Sequence, residues 1–195
     1  MSRIKGLLAV AVIALLATPL AGQERAVVFQ VMGGGYNHLA NLNETGQDAH
    51  FKTGYTFGAA IGVDVNEYFG IRGDATLART EGRGVVPFAN ELVNRYFVGG
   101  HLEVRYPFRQ VTPFLLAGGG AIMVDQQGSE VDEDFEHFTR GAGIFGAGLN
   151  FDVPNAPIDI VAQGRATTYK WVAAPFSRTQ WDVGYTVGFS YRFGF

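Results

Sequence analysis

Beyond residue 22 the chain falls into segments that alternate between bulky apolar and small or charged side chains. The last segment shows this most clearly. Trp181, Val183, Tyr185, Val187, Phe189, Tyr191, Phe193 and Phe195 share one parity, while Asp182, Gly184, Thr186, Gly188, Ser190, Arg192 and Gly194 share the other. Successive side chains of a strand point to opposite faces, so the pattern predicts a strand that is apolar on one face only.

The same division recurs upstream. Phe51, Tyr55, Phe57, Ala59, Ile61, Val63 and Val65 oppose Lys52, Gly54, Thr56, Gly58, Gly62 and Asp64. Phe69, Ile71, Ala75 and Leu77 oppose Gly70, Arg72, Asp74 and Thr76. Tyr96, Val98, Leu102, Val104 and Tyr106 oppose Arg95, Gly99, His101, Glu103 and Arg105. Phe145, Ala147, Leu149, Phe151 and Val153 oppose Ile144, Gly146, Gly148 and Asn150. Ile158, Ile160, Ala162 and Ala166 oppose Asp159, Val161, Gln163, Arg165 and Thr167. Two further segments, Val27 to Tyr36 and Pro113 to Val124, contain Gly33-Gly34-Gly35 and Gly118-Gly119-Gly120, and their faces stay unassigned.

Connector lengths supply an independent count. Short turns fall at Asn66-Glu67, Pro107 to Thr112 and Pro154 to Pro157, and longer stretches at 37–50, 80–92, 125–137 and 170–180. Tight turns at one end and long loops at the other are the habit of outer-membrane barrels. The alternation predicts an all-β fold: an eight-stranded antiparallel up-and-down transmembrane β-barrel with both ends periplasmic. A soluble barrel would hide the apolar face inside, but an eight-stranded lumen has little room for so many rings. Each large apolar side chain moved out of water is worth about 1.5–3 kcal/mol, which favours lipid as the medium around the bulky face.

The N-terminus bears on compartment. Arg3 and Lys5 precede an apolar run from Gly6 to Ala17, and Thr18-Pro19-Leu20-Ala21-Gly22 follows with small, helix-breaking residues. This reads as a cleaved secretory signal peptide over 1–22, leaving a barrel domain over 23–195. Loss of those two cations takes the formal charge from −3 to −5, which discourages nucleic-acid binding. The absence of Cys excludes disulfides, thiolate metal sites and cysteine nucleophiles.

The pattern and topology resemble the small outer-membrane barrels typified by the OmpA N-terminal domain and OmpX. The most specific piece is the C-terminus, where Thr186-x-Gly188-x-x-Tyr191-x-Phe193, with Phe195 as a terminal aromatic, resembles the signal read by the outer-membrane assembly machinery. The resemblance implies a bacterial outer-membrane location and no bound cofactor. It also implies outer-membrane lipid and lipopolysaccharide as surroundings, with periplasmic chaperones and the assembly machinery as partners during biogenesis. A monomer is expected.

Candidate chemistry lies on the inward parity: Lys52, Asp64, Arg72, Asp74, Arg95, His101, Glu103, Arg105, Arg140, Asp159, Arg165, Asp182 and Arg192. Charges buried there need partners. Counting back from the turns sets Arg72 beside Glu103, Asp74 beside His101 and Asp159 beside Arg192. These pairs are expected to form a polar plug; a narrow ion path is the rival. The four histidines, His38, His50, His101 and His137, show no spacing to a serine that would make a hydrolytic triad, and no enzyme activity is expected. Asp125, Glu130, Asp132, Glu133, Asp134, Glu136 and His137 read as a solvated acidic loop, with a divalent-cation site as the less favoured alternative.

Overall fold

A computed structural model describes residues 26–39, 50–83, 92–127, 137–173 and 176–194. The strands are β1 (Ala26–His38), β2 (His50–Phe51), β3 (Gly54–Asp64), β4 (Phe69–Arg83) and β5 (Leu92–Arg105). They continue with β6 (Val111–Gln127), β7 (His137–Asp152), β8 (Ile158–Ala173) and β9 (Phe176–Gly194). β2 is a two-residue piece paired with the outer end of β4. The other eight form the staves of one barrel. Each pairs antiparallel with its neighbours in sequence, and β1 pairs with β9 from Ala26↔Gly194 to His38↔Asp182, closing the ring. Closure satisfies every inner rung of the ladder, the condition for crossing hydrocarbon. Staves of 11 to 19 residues exceed the roughly 9–11 that a tilted strand needs to span the membrane.

At one end, where β1 begins and β9 stops, the connections are tight. Between β3 and β4 the Asn66 side chain accepts the amide hydrogens of Tyr68 (2.8 Å) and Phe69 (2.7 Å). This asparagine-capped turn explains how so few residues reverse the chain. Asn155 takes a left-handed conformation (φ 61°) in the β7–β8 turn, a state asparagine tolerates well. Arg109 does so in the β5–β6 turn (φ 56°). At the far end, the stretch 170–180 expected to be a loop is instead a continued ladder. β8 and β9 stay paired from Lys170↔Thr179 to Ala173↔Phe176, and only residues 174–175 lie between them. The hairpin therefore stands above the rim, since β7 leaves β8 at Ala142↔Tyr169 and β1 leaves β9 at His38↔Asp182.

The outer surface is apolar because one parity of every stave is apolar. Val98, Leu102, Leu115, Tyr185, Val187 and Phe189 are each about 60% exposed. Among the described residues, outward positions between the strand ends carry no charged side chain; Arg79, Asp125 and Lys170 appear only at the outer rim. Rings gather toward the ends. Tyr191 and Phe193 meet at a tilt with ring centres 4.3 Å apart and Phe193 meets Phe29 edge-on at the periplasmic side, while Phe145 meets Trp181 edge-on toward the other. An apolar band between aromatic girdles is the surface of a membrane barrel.

The two unassigned strands orient clearly here. β1 turns Val28, Gln30, Met32, Tyr36 and His38 inward, and β6 turns Thr112, Phe114, Leu116, Ile122 and Val124 inward. One assignment reverses: Phe51, given to the lipid face with the rest of its segment, is buried inside. The chain leaves strand geometry at Lys52 and Thr53, so the parity of β3 does not extend back to β2.

Candidate functional site

The lumen is filled in three layers. The periplasmic layer is a web of ion pairs built on strand register. Gly62↔Arg72 and Arg72↔His101 are direct cross-strand neighbours, as are Gly70↔Glu103 and Asp64↔Gly70. Glycine beside each charge leaves space for a long side chain to lie across it, and Arg105 and Arg72 both fold over Gly70. Arg72 Nη2 donates to Asp64 Oδ1 (2.5 Å) and lies 3.1 Å from Glu103 Oε2. Arg105 Nη2 donates to the same Asp64 oxygen at 2.8 Å. His101 bridges Asp74 (Nδ1, 3.2 Å) and Glu103 (Nε2, 3.5 Å). Arg165 reaches across the lumen to hydrogen-bond Asp74 and Thr76. Arg192 meets Asp159 at 3.0 Å and Asp64 at 3.8 Å. Four guanidiniums thus face four carboxylates, with His101 between two of them. This is the compensation that buried charge requires.

An apolar cluster, which the expected polar plug did not include, lies against the polar ones: Phe114 and Leu116 are the cross-strand neighbours of Arg105 and Glu103. Met32, Phe97, Phe114, Leu116, Ile122, Ile144 and Val161 pack together and are nearly inaccessible. Inward glycines make the space for their rings. A Cβ on Gly99 would sit 2.5 Å from Phe97 Cζ, and one on Gly148 would sit 2.4 Å from Phe114 Cζ. The glycine-rich parity therefore does not leave the barrel hollow; it provides sockets for aromatic side chains from adjacent strands.

The outer layer is a second polar cluster around Arg95 and Asp182, both essentially inaccessible. Asp182 accepts from the Tyr36 hydroxyl and is in hydrogen-bond contact with His38 Nδ1. Arg95 Nη1 donates to Thr80 (2.6 Å) and Nε to Tyr169 (3.2 Å), while its guanidinium lies 4.3 Å from the centre of the Phe51 ring. Phe51 in turn meets His38 edge-on at 4.9 Å. Sequence reasoning found Arg95 and Asp182 but missed Tyr36, His38, Phe51, Thr80 and Tyr169. The signal was present in the inward parity of β1, which the glycine triplet obscured.

Two residues assigned to the interior lie elsewhere. Lys52 is in the coil between β2 and β3 and makes an exposed pair with Glu81 (2.6 Å). Arg140 keeps its inward parity but sits exposed near the outer end of β7, where it bonds the Thr139 carbonyl. Thr186 and Gly188 face inward and Tyr191 and Phe193 outward, while Phe195 and the signal segment 1–22 lie outside the described residues. Most of the acidic stretch 125–137 also lies outside them. Among the described residues no cluster has the makings of a metal site.

Among the described residues a cavity of about 30 Å³ lies in the lumen, with Met32, Tyr36, Arg95, Phe97 and Arg165 in its wall. A water needs roughly 10–15 Å³, so this cavity admits a water or two.

A closed antiparallel eight-stave cylinder, apolar outside and charge-paired inside, is a bacterial outer-membrane β-barrel protein. The sequence matches the family described as Outer membrane protein beta-barrel domain over residues 7–195, and the chain belongs to that family. Among solved structures, it is similar to Neisserial surface protein A, with a TM-score of 0.65 at 16% identity, covering 86% of this chain and 99% of that one. It is also similar to Ail of Yersinia pestis in complex with the heparin analogue sucrose octasulfate (TM-score 0.48, 14% identity, 89% and 100% covered). A third likeness is the N-terminal barrel of Pseudomonas aeruginosa OprF (TM-score 0.48, 15% identity, 88% and 100% covered). No curated protein sequence matches the chain.

Proposed function

We propose that the protein is a monomeric, non-enzymatic barrel of the outer membrane that serves as a sealed mount for its outer connections, which contact lipopolysaccharide and other surface components. The observation that supports this reading is the filling of the lumen: among the described residues, two charge clusters and an apolar cluster occupy it beside a small cavity of about 30 Å³. A conducting pore needs a continuous polar path, and Phe97, Phe114 and Ile122 interrupt it.

The same filling argues against catalysis inside the barrel, where His101 is held between Asp74 and Glu103. On this reading the chain is exported with a cleaved leader over 1–22. Its β9 segment, with Thr186, Gly188, Tyr191, Phe193 and Phe195, is handed by periplasmic chaperones to the assembly machinery. Planar-bilayer recording on refolded protein tests the sealed lumen. No steady unitary current is expected, and substantial long-lived openings would remove the proposal in favour of a narrow channel.

A further inference from the structure

Arg95 stands apart from the other buried guanidiniums. Arg72, Arg105, Arg165 and Arg192 each have a carboxylate oxygen within about 3 Å. The carboxylate partner recorded for Arg95 is Asp182, whose oxygen is 3.8 Å from Nε, beyond hydrogen-bond range. That carboxylate is already engaged by Tyr36 and His38. Thr80 and Tyr169 satisfy two of its nitrogens with neutral oxygens, and among the described residues Nη2 has no hydrogen-bond partner. A guanidinium with 1% of its side chain exposed thus has its carboxylate at ion-pair range only, and keeps a spare donor. That arrangement is costly unless something negative approaches it.

The lumen cavity has this side chain in its wall. Its wall also includes Arg165, the Gln163 amide and the hydroxyl-bearing Thr56, Thr76 and Thr167; among the described residues no carboxylate lines it. Arg165 already holds Asp74, so the spare donor in this wall is that of Arg95, and a wall of donors and neutral polar groups without an acid favours an anion over a cation. The size of about 30 Å³ suits a monatomic anion and is too small for most polyatomic ones. We propose that the cavity is a binding site for a single halide, held between Arg95 and Arg165.

Gly184 provides a clean test. It faces the cavity, and a Cβ added there would meet nothing closer than 3.8 Å, ordinary contact distance, so alanine fits the fold while consuming space the ion needs. The chain is refolded in detergent in sodium bromide and crystallised in the same salt. An anomalous-scattering peak inside the barrel between Arg95 and Arg165 is expected in the parent protein and absent in Gly184→Ala. A parent barrel folded in bromide with no such peak, or a variant with an undiminished one, overturns the proposal. Thermal unfolding in micelles at constant ionic strength gives a second reading. Replacing gluconate with bromide should raise the midpoint of the parent saturably and leave Gly184→Ala unmoved. An equal rise in both would place the halide effect outside the cavity and overturn the assignment.

Discussion

Asp64 is the point at which the periplasmic ion web can be weighed. Its carboxylate accepts Arg72 at 2.5 Å and Arg105 at 2.8 Å and lies 3.8 Å from Arg192. Asp64→Asn keeps the shape and removes the charge. Arg72 would still have Glu103 at 3.1 Å, but Arg105 would be left with Glu103 at 4.0 Å and the Asn66 carbonyl at 3.4 Å. Arg105 is therefore the cation stranded by the change. Removing one partner of a buried pair costs about 3–5 kcal/mol. With a urea dependence of roughly 2–3 kcal/mol per molar, the unfolding midpoint should fall by about 1–2 M. Lys52→Gln is the matched control. Its bond to Glu81 is as short, 2.6 Å, but the two side chains are 42% and 36% exposed, and such a pair is worth less than about 1 kcal/mol. Equilibrium urea unfolding in micelles, followed by the fluorescence of Trp171 and Trp181, measures both. If Asp64→Asn loses no more stability than Lys52→Gln, burial is not what gives these charges their weight and the argument for the web fails.

Other consequences can be checked in the same system. Gly188→Ala would drive a Cβ to within 1.9 Å of the Val31 carbonyl across the β1–β9 pair, so it should cost about 1–3 kcal/mol, seen as a lower temperature for loss of the heat-modifiable folded band in electrophoresis. Gly141→Ala, whose Cβ meets open space on the outer face, should leave that temperature unchanged. Val98→Arg, at a 63% exposed position facing Ala75 and Ala121, should lose about 2–4 kcal/mol in bilayers, and an unaltered folding yield in lipid vesicles would contradict the lipid-facing orientation. Phe51→Ala should remove the ring stacked on Arg95 and lower stability by about 3 kcal/mol or more by urea titration, whereas a truly lipid-facing Phe51 would show much less.

The staves were readable in the sequence wherever one parity was bulky and the other polar, and the connector lengths supplied the count. Where both parities were small or apolar the method had nothing to discriminate. In β6 the inward Phe114, Leu116 and Ile122 are as apolar as the outward Leu115 and Met123, so polarity does not alternate although the side chains do. Phe51 misled because two residues of coil reset the count before β3. The tall β8–β9 hairpin was hidden by Trp171-Val172-Ala173-Ala174, which carries no period, so the ladder there is a property of backbone pairing rather than of side-chain pattern. The ion pairs on β4 and β5 were accessible from a single hairpin, but the register lies two residues from the expected one: Arg72 stands opposite His101 and Gly70 opposite Glu103, and long side chains make the expected pairs on the diagonal. The cluster joining Tyr36 and His38 to Asp182 spans 146 and 144 positions of sequence and depends on how the first stave meets the last, which no local count reaches.

That meeting has a consequence for how the cylinder is completed. Strands can slide past one another in steps of two residues without exchanging inside for outside, and each such step moves a side chain by about 6.8 Å along its neighbour. At the seam a slip of that size would carry Asp182 away from Tyr36 and His38 and leave an anion buried without its donors. The aspartate thus acts as an index mark: of the several ways the final strand could zip against the first, only one docks it.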